Sequence, residues 1–170
     1  MYDKVLIAMD NSEDAFRAAE RVIEIVKSGN SQATKGKPEF KSDTKIVAFH
    51  SIKHRTFPST LPIPVPSSFG RTYTVPRVDY RKLEQEYREH GEKILNKVNE
   101  KFNDANLSVE TRLVEDEKPE DYISKVVDEE GFDLVALGCK GEHSKLEELV
   151  MGTVANDVLN NANSDLLIVR

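Results

Sequence analysis

The chain has 170 residues, of which 38% are hydrophobic and 32% charged, with a net charge of −6 at pH 7. That length supports one domain with a real core, and interleaved charge with an acidic balance argues against a general nucleic-acid binder, which needs a basic stripe. One cysteine excludes an internal disulfide and fits a reducing compartment. The apolar run after Met1 is too short for a signal peptide, and no stretch approaches the ~20 apolar residues of a membrane span. A cytoplasmic protein is therefore expected.

The run Val5-Leu-Ile-Ala-Met9 is continuously apolar and predicts a strand buried on both faces. Asp10-Asn11-Ser12 stops it, with Ser12 as a helix N-cap and Glu13 and Asp14 favourable in the first turn. The helix that follows carries Ala15, Ala18, Ala19, Val22, Ile23 and Val26 on one face. Residues 28–45 have no periodicity and many loop formers, and predict an exposed, mobile insertion. Ile46 to His50 reads as a second strand. Residues 54–78 hold five of the seven prolines and predict a long irregular loop.

A long helix is predicted from about Val78 to Asn103, with Tyr80, Leu83, Tyr87, Ile94, Val98 and Phe102 at 3–4 spacing. Gly91 lies on the same stripe, which predicts close approach by a neighbouring element. Leu107 to Val114 alternates like a half-exposed strand. Pro119 can open the next helix, which buries Ile123, Val126 and Val127 and ends at Gly131. Phe132 to Leu137 predicts a buried strand, a last helix begins near Thr153, and Leu166 to Val169 reads as a final strand. The alternation β-α-β-α-β-α-β-α-β implies one α/β domain over residues 1–170, a parallel sheet with helices on both faces. Ligands in such sheets sit beyond the C-terminal strand ends, where the strand order reverses. Asp10, His50-Ser51 and Gly138 all follow strands and would meet at that edge.

The last third of the chain is the most telling. Gly138-Cys-Lys-Gly141 follows a strand, and after ten further residues Gly152-Thr153 opens a helix. Glycine lets backbone N–H groups approach an anion without a Cβ in the way. A helix N-terminus adds partial positive charge and unpaired donors. This segment has the makings of a phosphate site.

On these residues the chain resembles the universal stress protein family. Lys4-Val-Leu-Ile-Ala-Met-Asp10-Asn-Ser12 is similar to the family's first strand with its terminal Asp. Phe132-Asp-Leu-Val-Ala-Leu-Gly138-Cys-Lys-Gly141, Met151-Gly152-Thr153-Val-Ala-Asn-Asp-Val-Leu159 and Leu166-Leu-Ile-Val-Arg170 are similar to its fourth strand, glycine loop, helix start and last strand. The resemblance implies an open, Rossmann-like sheet of five parallel strands in the order 3-2-1-4-5, of the adenine nucleotide alpha hydrolase-like type. It implies ATP as ligand, accompanied by magnesium or manganese. Asp10 would face the ribose, and Ser51 would offer its backbone to the adenine edge. Gly138, Gly141, Gly152 and Thr153 would line the phosphates, with Val154 adding a backbone N–H. It further implies a homodimer paired through the C-terminal strand. One departure stands out: ATP-binding members carry Gly-x2-Gly-x9-Gly-(Ser/Thr), whereas here ten residues separate Gly141 from Gly152.

Other nucleotide and hydrolase signatures are absent. There is no G-x4-G-K-[S/T], no G-x-G-x-x-G after the first strand and no G-x-S-x-G. His50 reads as a packed or capping histidine, and Cys139 as a small packed residue with no base beside it in sequence. With no general base next to the expected phosphates, the chain is not expected to be an enzyme, beyond slow ATP turnover. Two functions stay open: an ATP-binding regulatory protein of the stress response, or a dimeric scaffold of the same family that acts through protein partners without nucleotide.

Overall fold

The computed structural model describes residues 2–29, 40–52, 80–140 and 151–170. Within them the order is β1 (Tyr2–Ala8), α1 (Glu13–Gly29), β2 (Phe40–Ile52), α2 (Tyr80–Asp104), β3 (Glu110–Glu115), α3 (Pro119–Glu130), β4 (Leu134–Gly138), α4 (Thr153–Asn161) and β5 (Asp165–Val169). All five strands are parallel and lie in the order β3-β2-β1-β4-β5, as expected.

Alternation along the strands builds two cores. Val5, Ile7, Met9, Ile46, Ala48, Leu134 and Ala136 face α1 and α2, where Ala15, Ala19, Val22, Ile94, Val98 and Phe102 meet them. Leu6, Val47, Phe49, Val135 and Leu137 face α3 and α4, against Ile123, Val126, Val127, Ala155 and Val158. Burial on both faces is why the strands read as continuous apolar runs rather than alternating ones. Each of the larger side chains fully withdrawn from water contributes about 1.5–3 kcal/mol.

Local punctuation works as its chemistry suggests. Ser12 caps α1, its hydroxyl accepting the Ala15 amide at 3.2 Å. Pro119 stands at the start of α3, and Gly131 ends it with φ 70°, ψ 47°, its amide bonded to the Val127 carbonyl at 3.1 Å. Gly91 does allow a close approach: a Cβ there would lie 2.6 Å from Leu113 Cδ1 and 2.8 Å from His50 Cδ2.

Several expectations need correction. β2 is much longer than Ile46–His50, and Phe40 to Lys45 belong to it instead of the predicted insertion. Apart from Phe40 they are polar, yet β1 supplies a ladder: Tyr2 pairs with Phe40 and Lys4 with Lys45 across a register shift. β3 starts at Glu110, not Leu107, because the chain first closes α2. Asn106 takes a left-handed φ of 57°, and the Leu107 amide returns to the Phe102 carbonyl at 2.9 Å. Tyr87 is 45% exposed rather than part of the core. Gly91 lies over His50 and Ile52 at the far end of β2, so residues 81–90 project past the sheet. There Arg88 pairs with Glu115, the last residue of β3, at 2.7 Å. The predicted loop 54–78 and the stretch 30–39 of the first insertion lie outside the described residues. Among the described residues, no helix is long and apolar enough to cross a membrane.

Candidate functional site

Parallel pairing of β2, β1 and β4 sets their C-terminal ends side by side. Two crossovers run from β1 toward β3 and the others toward β5, so the order reverses between β1 and β4. That gap is where an open α/β sheet leaves room for a ligand.

On one side of the gap stands Asp10, half-buried just beyond β1. Its Oδ1 accepts the Ser12 amide at 2.9 Å and also the Ser12 hydroxyl. This Asx-type turn swings the chain from strand into helix. Ser51 lies one strand further out, in the β2–β3 ladder opposite Val114. Its hydroxyl donates to the Glu117 carbonyl. Between them His50 Nδ1 donates to the Met9 carbonyl at 2.8 Å, since a carbonyl can only accept. His50 thus caps strand ends, in keeping with its expected role.

On the other side, Gly138 ends β4 against the first turn of α1. A Cβ there would sit 2.6 Å from the Ala15 nitrogen and 2.8 Å from the Asp14 carbonyl carbon. Both are backbone atoms, so the missing side chain serves helix–strand contact as well as any ligand. The next amides are engaged. Cys139 donates to the Val169 carbonyl at 2.7 Å, and Gly152 donates to the Cys139 carbonyl at 2.8 Å. Lys140 donates to Asp14 Oδ2 at 3.2 Å.

Gly152 is the N-cap of α4, extended at φ −61°, ψ 156°. The first intrahelical bond runs from the Asn156 amide to the Gly152 carbonyl at 2.9 Å. The amides of Thr153, Val154 and Ala155 precede that bond and emerge at the positive end of the helix. Thr153 is exposed, whereas Val154 is half-buried against the α3–α4 core. Gly141 lies outside the described residues.

The fold therefore gathers Asp10, Gly138 and the Gly152–Thr153 helix start around one gap, with Ser51 one strand away. Sequence reasoning missed Asp14, whose side chain is only 14% exposed and also lies 3.6 Å from Arg17. Its first-turn position suggested a partner for the helix dipole and nothing more. No sequence signal marks a contact with a residue 126 positions away. Among the described residues, no three His, Cys, Asp or Glu side chains cluster to hold a metal ion.

Comparison with known proteins gives this arrangement a context. The model of the universal stress protein family matches residues 63–170. Universal stress protein MJ0531 of Methanocaldococcus jannaschii is 24% identical over 170 residues, covering 100% of this chain and 83% of its own. A universal stress protein solved in complex with cAMP superposes with a TM-score of 0.61 at 21% identity, over 99% of this chain and 97% of that one. The universal stress protein of Archaeoglobus fulgidus in complex with dAMP gives a TM-score of 0.59 at 18% identity, over 99% and 98%. With its strand order and a family match over most of its length, the chain belongs to the universal stress protein family.

Proposed function

We propose that the protein is a regulatory adenine-nucleotide-binding member of the family, taking ATP among its ligands and serving in the stress response. The carrying observation is the convergence of Asp10, Gly138 and the open first turn of α4 at the reversal point of the sheet. The Asp10 carboxylate suits a ribose hydroxyl, and the amides of Thr153 and Val154 suit a phosphate oxygen. The cAMP and dAMP complexes of the two similar structures support an adenine nucleotide of some kind. Magnesium or manganese would enter on the phosphates, given the absence of a carboxylate cluster among the described residues. The carboxylates described at the gap, Asp10 and Asp14, are engaged by main-chain amides, which favours a sensor over an enzyme.

Backbone donors at one helix end imply affinity in the micromolar range, about −7 to −8 kcal/mol. Calorimetric titration with AMP and ATP, with and without magnesium, tests this. Absence of heat with every nucleotide would instead favour the partner scaffold. The same samples suit sedimentation, because β5 is an edge strand whose Leu166, Leu167, Ile168 and Val169 are only half-buried. Pairing of two such edges in a homodimer would cover them. A monomer at tens of micromolar would refute the dimer.

A further inference from the structure

One carboxylate stands where an incoming anion would compete with it. Asp14 Oδ2 accepts the Lys140 amide at 3.2 Å, two residues after the strand-end glycine. Gly138 has no Cβ, so the backbone of α1 presses against β4 there and the Asp14 carboxylate is held at the loop. The Gly152 amide is tied to Cys139, which places the start of α4 at the same corner. The side chain of Asp14 is largely shielded from water, where charge acts over a longer range than at the surface.

From this geometry we infer that Asp14 is a specificity-determining residue, an internal anion that sets how many phosphates the site accepts. The inference rests on the nucleotide reading above. A carboxylate and a phosphate oxygen are both acceptors, and the Lys140 amide has one proton to give. While Asp14 holds that amide, a phosphate chain reaching along the loop meets a fixed negative charge instead of a donor. An adenosine monophosphate brings a single phosphate to the first turn of α4, beside the carboxylate. A triphosphate carries two further anionic groups and has to pass it. Like charges brought together select against a ligand as firmly as a lost contact does. Arg17, at 3.6 Å from Asp14 Oδ1 and half-exposed, offsets that charge only in part.

The test is a calorimetric comparison of AMP and ATP in magnesium-free buffer, on the parent chain, Asp14→Asn and Asp14→Ala. Thermal unfolding confirms that each variant is folded. Asn keeps an acceptor for the Lys140 amide but removes the charge; Ala removes both. The parent should bind AMP more tightly than ATP. Asp14→Asn should tighten ATP roughly tenfold while AMP moves by less than about twofold, and Asp14→Ala should tighten ATP at least as much. ATP binding that appears only in the variants also supports the role of Asp14, and removes ATP from the ligands of the parent. If the parent binds AMP and neither folded variant gains ATP selectively, the role of Asp14 is wrong and the nucleotide reading survives. If no form binds any nucleotide, the nucleotide reading fails and the role of Asp14 with it.

Discussion

At the N-terminal edge of the sheet, the Asp133 carboxylate accepts the amides of Asp3 at 2.8 Å and Lys4 at 3.0 Å. Beside it the Tyr2 hydroxyl donates to Asp165 at 2.7 Å, and the Asp165 amide returns to the Asp133 carbonyl at 3.1 Å. At the C-terminal edge, the Asp14 carboxylate accepts the Lys140 amide at 3.2 Å. The chemistry is the same at both ends: a carboxylate accepting main-chain N–H. At the lower edge it joins the beginnings of β1, β4 and β5 through several bonds, and replacing one partner strands the others. At the upper edge a helix side chain reaches a loop amide that a ligand's oxygen could take over. Among the described residues, bonding of one kind ties three strands together at the lower edge and a helix to a loop at the upper one.

The sharpest way to break the upper edge is Gly138→Ala. The new methyl group would meet backbone atoms of α1, which cannot rotate away. A loss of about 3 kcal/mol in urea unfolding is expected, from overpacking against main chain. A loss below about 0.5 kcal/mol would mean that helix–strand contact does not select this glycine. The lower edge is probed by Asp133→Ala, which leaves two amides without their acceptor. It should cost about 2 kcal/mol yet leave nucleotide affinity unchanged, because the sheet's length separates it from the site. Altered affinity would show that the two edges are coupled.

The smallest effect expected is a pH dependence at the lower edge. The hydrogen bond to Asp165 is the main cause that raises the Tyr2 hydroxyl from 10.0 to about 12, helped by burial and by the Asp165 and Asp133 charges. The folded state favours the protonated phenol. Its contribution is complete below pH 10 and is lost as the pH rises through about 12. Stability measured from pH 9 upward should fall more steeply in the parent than in Tyr2→Phe. Equal slopes would place the alkaline sensitivity elsewhere.

Much of the fold was legible because its signals are local. The apolar run at Val5, the stripe of α1, Pro119 and Gly131 each report on a few neighbouring residues, and all behave as their chemistry predicts. Gly91 was legible for the same reason, as a gap in an apolar stripe. What escaped depends on partners distant in sequence. Phe40 to Lys45 form strand only because β1 runs alongside, and their own polar pattern gives no hint of it. Helical spacing placed Tyr87 on the apolar face but carries no information about where the sheet beneath it stops. At the candidate site, Asp10, Gly138 and Gly152 announced themselves by following strands or opening a helix. Their hydrogen-bond partners did not, and those partners decide which amides a ligand can reach.

The length of α2 has a consequence for how the molecule opens. Its 25 residues span about 37 Å, but the sheet supports only the part from Gly91 onward, where Ile94, Leu95, Val98 and Phe102 are buried. Residues 81–90 are exposed apart from half-buried Leu83. Isolated helices of fewer than ~12–15 residues are marginal in water, so those turns persist by continuing a helix anchored elsewhere. One helix then spans two cooperative units. Its amides near Phe102 exchange with solvent when the whole domain unfolds, and those before Gly91 exchange through fraying that leaves the sheet intact.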